Sequence, residues 1–302
     1  MPNIALTTYC NLHCPYCFAD EMIGSSKTRN ISLAQLNNIL RWVNESHYCD
    51  NRIGLIGGEP TLHPYFLEIL SIVNNFCIKN KFDSILFTNG IYIGDYLDDI
   101  PKKMILLVNV NAPTAMTPEQ WQKLNENLDK MYYLDWMPKK DYKKHLYKVT
   151  LGCNLCPQID DYSFFWNFIK RYQAGVVRMS VTAPTEPEFL ADKEKYYKLM
   201  YPKFIDFLKT AKNHRVTIHY DCNQIPTCYL SKEEIELRKE LSLYGDGTPR
   251  ICQPVIDITP DFQASACFGA YKTVDCNQFN NLDELHRYFF YTQNVPKALA
   301  NV

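Results

Sequence analysis

Asn3-Ile4-Ala5-Leu6-Thr7-Thr8 runs directly into Tyr9-Cys10-Asn11-Leu12-His13-Cys14-Pro15-Tyr16-Cys17-Phe18-Ala19-Asp20. The first six residues read as a short strand, and the next segment sets three cysteines on one loop with the spacing C-x3-C-x2-C. Three thiolates held this tightly can face one iron–sulfur cube, leaving one of its irons without a protein ligand. An open metal position is where a cofactor or substrate binds. Zinc is the rival reading, although structural zinc sites favour paired C-x2-C elements and a closed shell of four ligands.

Outward from this junction, short apolar or β-branched runs alternate with helix-like segments. Strands are expected at Asn3–Thr8, Arg52–Gly57, Asp83–Thr88, Ile105–Val110, Lys148–Gly152 and Val176–Thr182. Ser32-Leu33-Ala34-Gln35 opens one helix with a capping-box pattern, and Thr117-Pro118-Glu119-Gln120 opens another with Pro at its first position. Six strand–helix units predict an α/β fold, a partial (β/α)6 TIM-type barrel over residues 1–213. From residue 214 to 302 the pattern becomes loop-rich and Cys-rich, which predicts a small C-terminal extension. Within it, Val216–Tyr220 reads as a strand, a capped helix starts near Ser231, and another runs from Leu282 to Phe290. Tyr132–Lys144, rich in Lys, Tyr and Trp, is expected to be an exposed connection.

The second strand ends in Leu55-Ile56-Gly57-Gly58-Glu59-Pro60-Thr61-Leu62-His63-Pro64. Two glycines allow close backbone approach, and a carboxylate can pair with an ammonium group. With the C-x3-C-x2-C loop, whose third cysteine is preceded by the aromatic Tyr16, this segment resembles the radical S-adenosylmethionine (radical SAM) superfamily. The resemblance implies that Cys10, Cys14 and Cys17 hold a [4Fe-4S] cluster with S-adenosylmethionine. It implies that Gly57, Gly58, Glu59 and Pro60 receive the methionine amino group. By the same analogy Thr88, Asn109 and Leu151, at the ends of strands three to five, approach the ribose, carboxylate and adenine. Arg178 on strand six would meet the cofactor carboxylate or the substrate. Asn89, Asn111 and Gly152 fall in the same zone.

Cys222, Cys228, Cys252 and Cys267 lie in the extension, with Cys276 as a substitute. Val255–Gln263 reads as a hairpin that brings Cys252 and Cys267 together. This resembles the twitch and SPASM auxiliary-cluster extensions, without matching either spacing. It implies an auxiliary [4Fe-4S] cluster, with structural zinc as the alternative. Cys153 and Cys156 form a C-x2-C pair at the end of strand five, where a thiol would face the site and could donate a hydrogen atom. Cys49 and Cys77 read as packing residues in helix-like segments, and His13 and His63 as loop hydrogen-bonders.

The chain has 302 residues, 46% of them hydrophobic and 22% charged, so it can bury a sizeable core. Lys+Arg at 32 against Asp+Glu at 33 gives a net charge of −1, which offers no electrostatic case for nucleic acid or a membrane surface. No secretory signal or membrane-spanning run is legible, and a cytoplasmic location is expected. Twelve cysteines in a reducing compartment point to metal or redox chemistry rather than disulfides. The resemblance implies reductive cleavage of S-adenosylmethionine to a 5′-deoxyadenosyl radical that abstracts hydrogen from a C–H bond, with flavodoxin or ferredoxin as reductant. A peptide or protein side chain is the first expectation for substrate. With the first cysteine at position 10, no leader-binding domain is expected ahead of it. A small molecule such as a sugar or aminocyclitol is the second expectation. A non-catalytic iron–sulfur or zinc protein is the reading from another class.

Overall fold

The computed structural model describes residues 1–17, 28–49, 51–133, 149–184, 186–221, 225–244, 255–266 and 273–292. Its strands are β1 (Pro2–Ala5), β2 (Arg52–Ile56), β3 (Asp83–Thr88), β4 (Ile105–Asn109), β5 (Val149–Leu155), β6 (Val176–Val181), β7 (Thr217–Tyr220), β8 (Ile256–Ile258), β9 (Gln263–Ala266) and β10 (Val274–Asp275). The helices are α1 (Leu33–Glu45), α2 (Phe66–Asn80), α3 (Pro118–Tyr133), α4 (Ser163–Tyr172), α5 (Pro187–Ala191), α6 (Lys193–His214), α7 (Lys232–Leu241) and α8 (Leu282–Arg287). One sheet runs in the order β10-β9-β8-β1-β2-β3-β4-β5-β6-β7. Strands β1 to β7 are parallel to their neighbours, the arrangement that crossover helices impose. The sheet does not close, so the barrel is partial, as the strand–helix pattern predicts.

Two features differ from the sequence reading. Thr217–Tyr220 is a seventh parallel strand on β6, not a separate element of the extension. The Val255–Gln263 segment does turn back as an antiparallel pair, but β8 also joins the sheet by pairing in parallel with β1. The buried strand Ile256-Asp257-Ile258 is apolar enough to cover the β1 edge, a long-range pairing that no local pattern reveals.

Helix boundaries follow local chemistry. Ser32 Oγ accepts from Gln35 N at 3.1 Å and starts α1, whose Leu36, Ile39, Leu40 and Val43 recur at helical spacing and are buried. Thr117 and Gln120 cap α3 reciprocally, at 2.9 and 3.3 Å. Ser231 and Glu234 form the full capping box of α7. The last helix is shorter than expected: α8 ends at Arg287 and passes into a π turn over Tyr288–Thr292. Tyr132 belongs to α3 and stacks on Tyr172 at 4.4 Å, so the expected exposed connection cannot begin there. Residues 134–144 of that segment lie outside the described residues.

Strand alternation separates two faces. Leu55, Leu86, Leu106, Val108, Leu151, Val177 and Ile218 enter the core shared with the helices, each fully buried side chain contributing about 1.5–3 kcal/mol. The concave face carries polar residues in register: Asn109, Gly152, Arg178 and His219 form one row across β4 to β7, and Asn3 pairs with Gly54 on one side and Asp257 on the other. Among the described residues no helix is long and apolar enough to cross a membrane.

Candidate functional site

Cys10 and Cys17 are exposed and Cys14 is half-buried, all three on the loop after β1 and none of them in a disulfide. The loop is shaped by its own backbone: Cys17 N donates to Cys14 O at 3.0 Å, and Leu12 N to Cys10 Sγ at 3.4 Å. The end of β2 clamps it. Gly58 N donates to Thr7 O at 2.8 Å and Glu59 N to Tyr9 O at 2.7 Å. A Cβ on Gly57 would lie 2.5 Å from Thr7 O, and one on Gly58 would lie 2.2 Å from Tyr9 O. Only glycines admit this approach.

Glu59 is buried and supports the site from below. Its Oε1 accepts from Thr61 N at 3.2 Å, Thr61 Oγ1 at 2.7 Å and Thr88 Oγ1 at 2.8 Å; Oε2 accepts from Asn89 N at 2.8 Å. Burial raises its pKa, and these hydrogen bonds oppose the shift. A carboxylate has about four lone-pair sites, so Oε2 retains one the described protein does not fill. Thr88 is thus spent on Glu59 and on accepting from Gly90 N at 3.0 Å. Pro60 opens the buried turn that follows.

From here two groups of hydrogen bonds, joined through the cysteine loop itself, cross the strand ends. Asn89 Nδ2 donates to Asn11 Oδ1 at 2.8 Å, and Gln120 Nε2 to Asn11 O at 2.9 Å. Tyr16 OH and, at 3.4 Å, Cys14 Sγ donate to Asn111 Oδ1. Asn111 Nδ2 donates to Asn109 O at 3.3 Å. Arg178 donates through Nη1 to Asn109 Oδ1 at 3.4 Å and is ion-paired through Nη2 with Asp221. The expected positions Tyr16, Gly57–Pro60, Thr88, Asn109 and Arg178 therefore form one network with the cysteine loop. Leu151 is placed differently. The strand runs on to Leu155, so Leu151 lies mid-strand, paired with Val108 and Val177, its side chain fully buried in the core.

The residues present fit an iron–sulfur cluster. Among the described residues no three His, Cys, Asp or Glu side chains converge on one point as ligands of a single ion do. A cube takes one thiolate per iron, so three cysteines on one loop can serve three of its four irons. Burial first, then the nearby Cys17 and Cys10 thiols, push Cys14 up to about 12, a set of neutral thiols that bound metal cations would deprotonate. Asn11 Nδ2, one residue from Cys10, is buried without an acceptor, a donor ready for an anionic group.

Other cysteines separate by position. Cys153 is 1% exposed and alternates with Gly152 and Asn154, so it points into the helix-side core and not at the mouth of the barrel. This corrects the hydrogen-donor expectation for Cys153. Cys156 is fully buried, its backbone N accepted by Tyr162 OH at 2.8 Å. Cys77 packs in α2 as expected, whereas Cys49 lies beyond the end of α1. Cys228 is exposed on the turn Thr227–Tyr229, and Cys222, Cys252 and Cys267 lie outside the described residues. Cys276 is buried in the core, its thiol pushed up to about 12 by burial and then by Asp275 and Asp261. Arg238, buried on α7, donates through Nη2 to Thr227 Oγ1 at 3.2 Å on the turn of Cys228.

Sequence reasoning missed Asn11, Gln120, Asn3, Asp221 and Asp257. Asp257 is 2% exposed, and its Oδ1 accepts from Asn3 Nδ2 at 2.7 Å. Burial raises its pKa well above the usual carboxyl value, and Asp221 adds to the rise. The available signal was a lone charge between two isoleucines in a buried strand. His63 is the expected hydrogen-bonder: Nδ1 accepts from Tyr65 N at 3.0 Å, so Nε2 donates to Ile31 O at 3.0 Å. It ties the segment after Glu59 to the chain returning from the cysteine loop.

Residues 4–146 match the family model of the radical SAM superfamily. A GTP 3′,8-cyclase of Clostridium perfringens is 29% identical over 134 residues, 43% of this chain and 40% of that protein. Molybdenum cofactor biosynthesis protein 1 of Bos taurus is 25% identical over 282 residues, 79% of this chain and 43% of that protein. The chain thus spans about two fifths of the length of these relatives. Among solved structures, Streptococcus suis SuiB bound to S-adenosylmethionine aligns with a TM-score of 0.59 at 15% identity, over 94% of this chain and 64% of SuiB. The structure of anSMEcpe with bound AdoMet aligns at 0.61 and 16% identity, over 94% of this chain and 79% of that one. These alignments reach past residue 146 into the extension.

Proposed function

Because this chain carries a radical SAM domain at residues 4–146 and is an enzyme of that superfamily, we propose that it modifies a peptide or protein side chain by hydrogen abstraction. When bound, the [4Fe-4S] cluster and S-adenosylmethionine supply one-electron cleavage to a 5′-deoxyadenosyl radical. Cys10, Cys14 and Cys17 hold the cluster, and Tyr16 and Asn111 brace Cys14 from beneath. Gly57 and Gly58 bring backbone against the loop, and Glu59 fixes the end of β3 to it. The open lone pair of Glu59 Oε2 and the free Asn11 Nδ2 are the groups that would receive the cofactor's ammonium and an anionic neighbour. Asn109 and Arg178 line the concave face behind them. In the extension, Cys222, Cys228, Cys252 and Cys267 would hold an auxiliary centre, with the boundary after β7 rather than at residue 214. Flavodoxin or ferredoxin would supply the electron, in the cytoplasm.

The observation that carries the substrate reading is the charge balance of the concave face. Arg178 is already paired with Asp221 and bonded to Asn109, and the buried carboxyl of Asp257 lies nearby. A guanidinium so occupied is a poor clamp for a triphosphate and a good neighbour for uncharged amides. Structures of SuiB with precursor peptide SuiA and of anSMEcpe with Cp18Cys peptide support the same class. A small-molecule substrate is the second reading, favoured by relatives named GTP 3′,8-cyclase. The test is anaerobic reconstitution, dithionite and S-adenosylmethionine, with 5′-deoxyadenosine measured by mass spectrometry. Peptides encoded beside the gene are expected to stimulate its release and gain or lose mass. Stimulation by GTP alone would overturn the peptide reading, and iron-loaded protein that makes no 5′-deoxyadenosine would overturn the cleavage.

A further inference from the structure

Two cysteines of the loop differ in what already faces their sulfurs. Cys10 Sγ accepts from Leu12 N at 3.4 Å, a donor that suits a ligating sulfur as it stands. Cys14 Sγ instead donates, at 3.4 Å, to Asn111 Oδ1, which also accepts from Tyr16 OH. Those two bonds fill both lone pairs of the amide oxygen. Asn111 follows β4 and is 4% exposed, and its Nδ2 donates to Asn109 O at 3.3 Å. Val110 N, just before it, donates to Gly152 O at 2.9 Å and ties this backbone to β5.

The arrangement suits Cys14 only while its sulfur carries a proton. A cysteine ligates metal as a thiolate, an acceptor with no hydrogen to give. Asn111 Oδ1 and that sulfur would then be two acceptors facing each other with nothing between them. A half-turn of the amide about χ2 exchanges its oxygen and nitrogen while the backbone stays in place, and such terminal torsions have two similar settings. The two hydrogens on Nδ2 then point at Cys14 Sγ and at the Tyr16 oxygen. A tyrosine hydroxyl both donates and accepts, and Asn154 is a second hydrogen-bonding neighbour of Tyr16 OH. What is given up is the bond to Asn109 O, already long for an N–H···O contact. A charge-assisted bond to sulfur outweighs it.

We propose that Asn111 is a positioning residue whose amide turns over when Cys14 becomes a cluster ligand, so that Nδ2 donates to Cys14 Sγ and raises the reduction potential of that cluster. This rests on the cluster reading under the proposed function. Asn111 ligates no iron and acts through the sulfur of Cys14, as hydrogen bonds to cluster sulfurs do.

The test uses the full chain reconstituted anaerobically, with S-adenosylmethionine left out. The cluster on the loop is identified as the electron paramagnetic resonance signal that disappears when Cys10, Cys14 and Cys17 are all replaced by alanine. Its midpoint potential is measured in the wild type, N111L and Y16F, with iron content and circular dichroism as controls. N111L is expected to make reduction about tenfold less favourable, a shift of ~59 mV to more negative potential for one electron. Y16F, which keeps the amide, is expected to shift it less. In protein carrying 15N-asparagine, the reduced wild-type cluster is expected to show a 15N hyperfine coupling that N111L loses. A change confined to packing would lower iron content without producing or removing that coupling. Equal potentials in wild type and N111L, or a coupling that N111L retains, overturns the role of Asn111 while leaving the cluster intact. A shift in Y16F as large as in N111L, with no 15N coupling in the wild type, assigns the donor to Tyr16 and also overturns it. A wild type that takes up no cluster on the loop overturns the cluster reading itself. Should N111L fail to fold, N111A takes its place, since a smaller side chain cannot overpack the site.

Discussion

Replacing Gly58 with alanine puts a methyl group where the cysteine loop and the end of β2 touch. The new Cβ would lie 2.2 Å from Tyr9 O, 2.6 Å from Tyr9 C and 3.0 Å from Cys10 N. All three are backbone atoms, so no side chain can swing away, and the two segments must part by about 1 Å to reach van der Waals contact. That movement stretches the bonds from Gly58 N to Thr7 O and from Glu59 N to Tyr9 O, now 2.8 and 2.7 Å. Overpacking costs about 1–3 kcal/mol, and weakening the two bonds adds about 1 kcal/mol. A loss of about 2–4 kcal/mol lowers Tm by about 4–8 °C in a chain of this size. The sharper consequence is local, since Cys10 moves with Tyr9. Iron and sulfide after anaerobic reconstitution are expected to fall by more than about half, with 5′-deoxyadenosine falling further. The matched control is Gly94→Ala, whose Cβ would have three atoms of the Asn127 side chain as its nearest neighbours, the closest at 1.9 Å. If G58A kept wild-type iron and cleavage, or lost no more of either than G94A at equal Tm, the clamp reasoning would be refuted.

Asp257→Asn tests the buried acid of β8. Its folded pKa is raised by burial, so its contribution is fully present below the ordinary carboxyl value and is lost as pH rises toward the folded value. The variant is expected to flatten that fall in urea titrations of the metal-free protein from pH 5 to 8, and an unchanged slope would contradict it. His63→Ala removes the tie between the Glu59 segment and Ile31, at about 1–3 kcal/mol, and lowers iron loading. Burial depresses the His63 pKa, so the wild-type contribution is present above the ordinary histidine value and is lost as pH falls below it; H63A is expected to lose that acid-side dependence, read as Tm against pH. Cys153→Ala costs about 1–2 kcal/mol of packing and leaves 5′-deoxyadenosine formation unchanged, since the thiol faces the helix-side core. A change in deuterium incorporation into product would show that the thiol reaches the site after all.

Much of the site was legible because its signals are local. The cysteine spacing, the two glycines before Glu59 and the caps at Ser32, Thr117 and Ser231 each specify geometry within a few residues. Even Gln120, read only as a helix cap, keeps that role while its Nε2 reaches the Asn11 carbonyl 109 positions away. Thr88 shows the limit of analogy. Its place at the end of β3 was visible, but the partner that occupies its hydroxyl is Glu59, fixed by the pairing of β2 with β3. The end of β5 was misjudged for a related reason: the strand has three more residues than its apolar run advertises, because Cys153 and Leu155 continue the inward alternation past Gly152.

The concave face was opaque because its chemistry depends on which strands become neighbours. Asn3 and Asp257 are 254 positions apart, and nothing near either one announces the bond between them. It follows from β8 completing the edge of β1, which turns a hairpin from the extension into a wall of the barrel. The same pairing explains why a charged residue persists between Ile256 and Ile258. On an edge exposed to solvent that aspartate would be an ordinary surface charge. Inside the sheet it becomes a carboxyl whose pKa burial raises, set on the same polar face as Arg178 and coupled electrostatically to Asp221, the partner of that guanidinium. Under the proposed function the cysteine loop is where S-adenosylmethionine is held. The hairpin beyond β7 then adds Asp257 to the polar face that a substrate would meet, so Asp257 and Arg178, 79 positions apart, act on one face only because β8 joins β1.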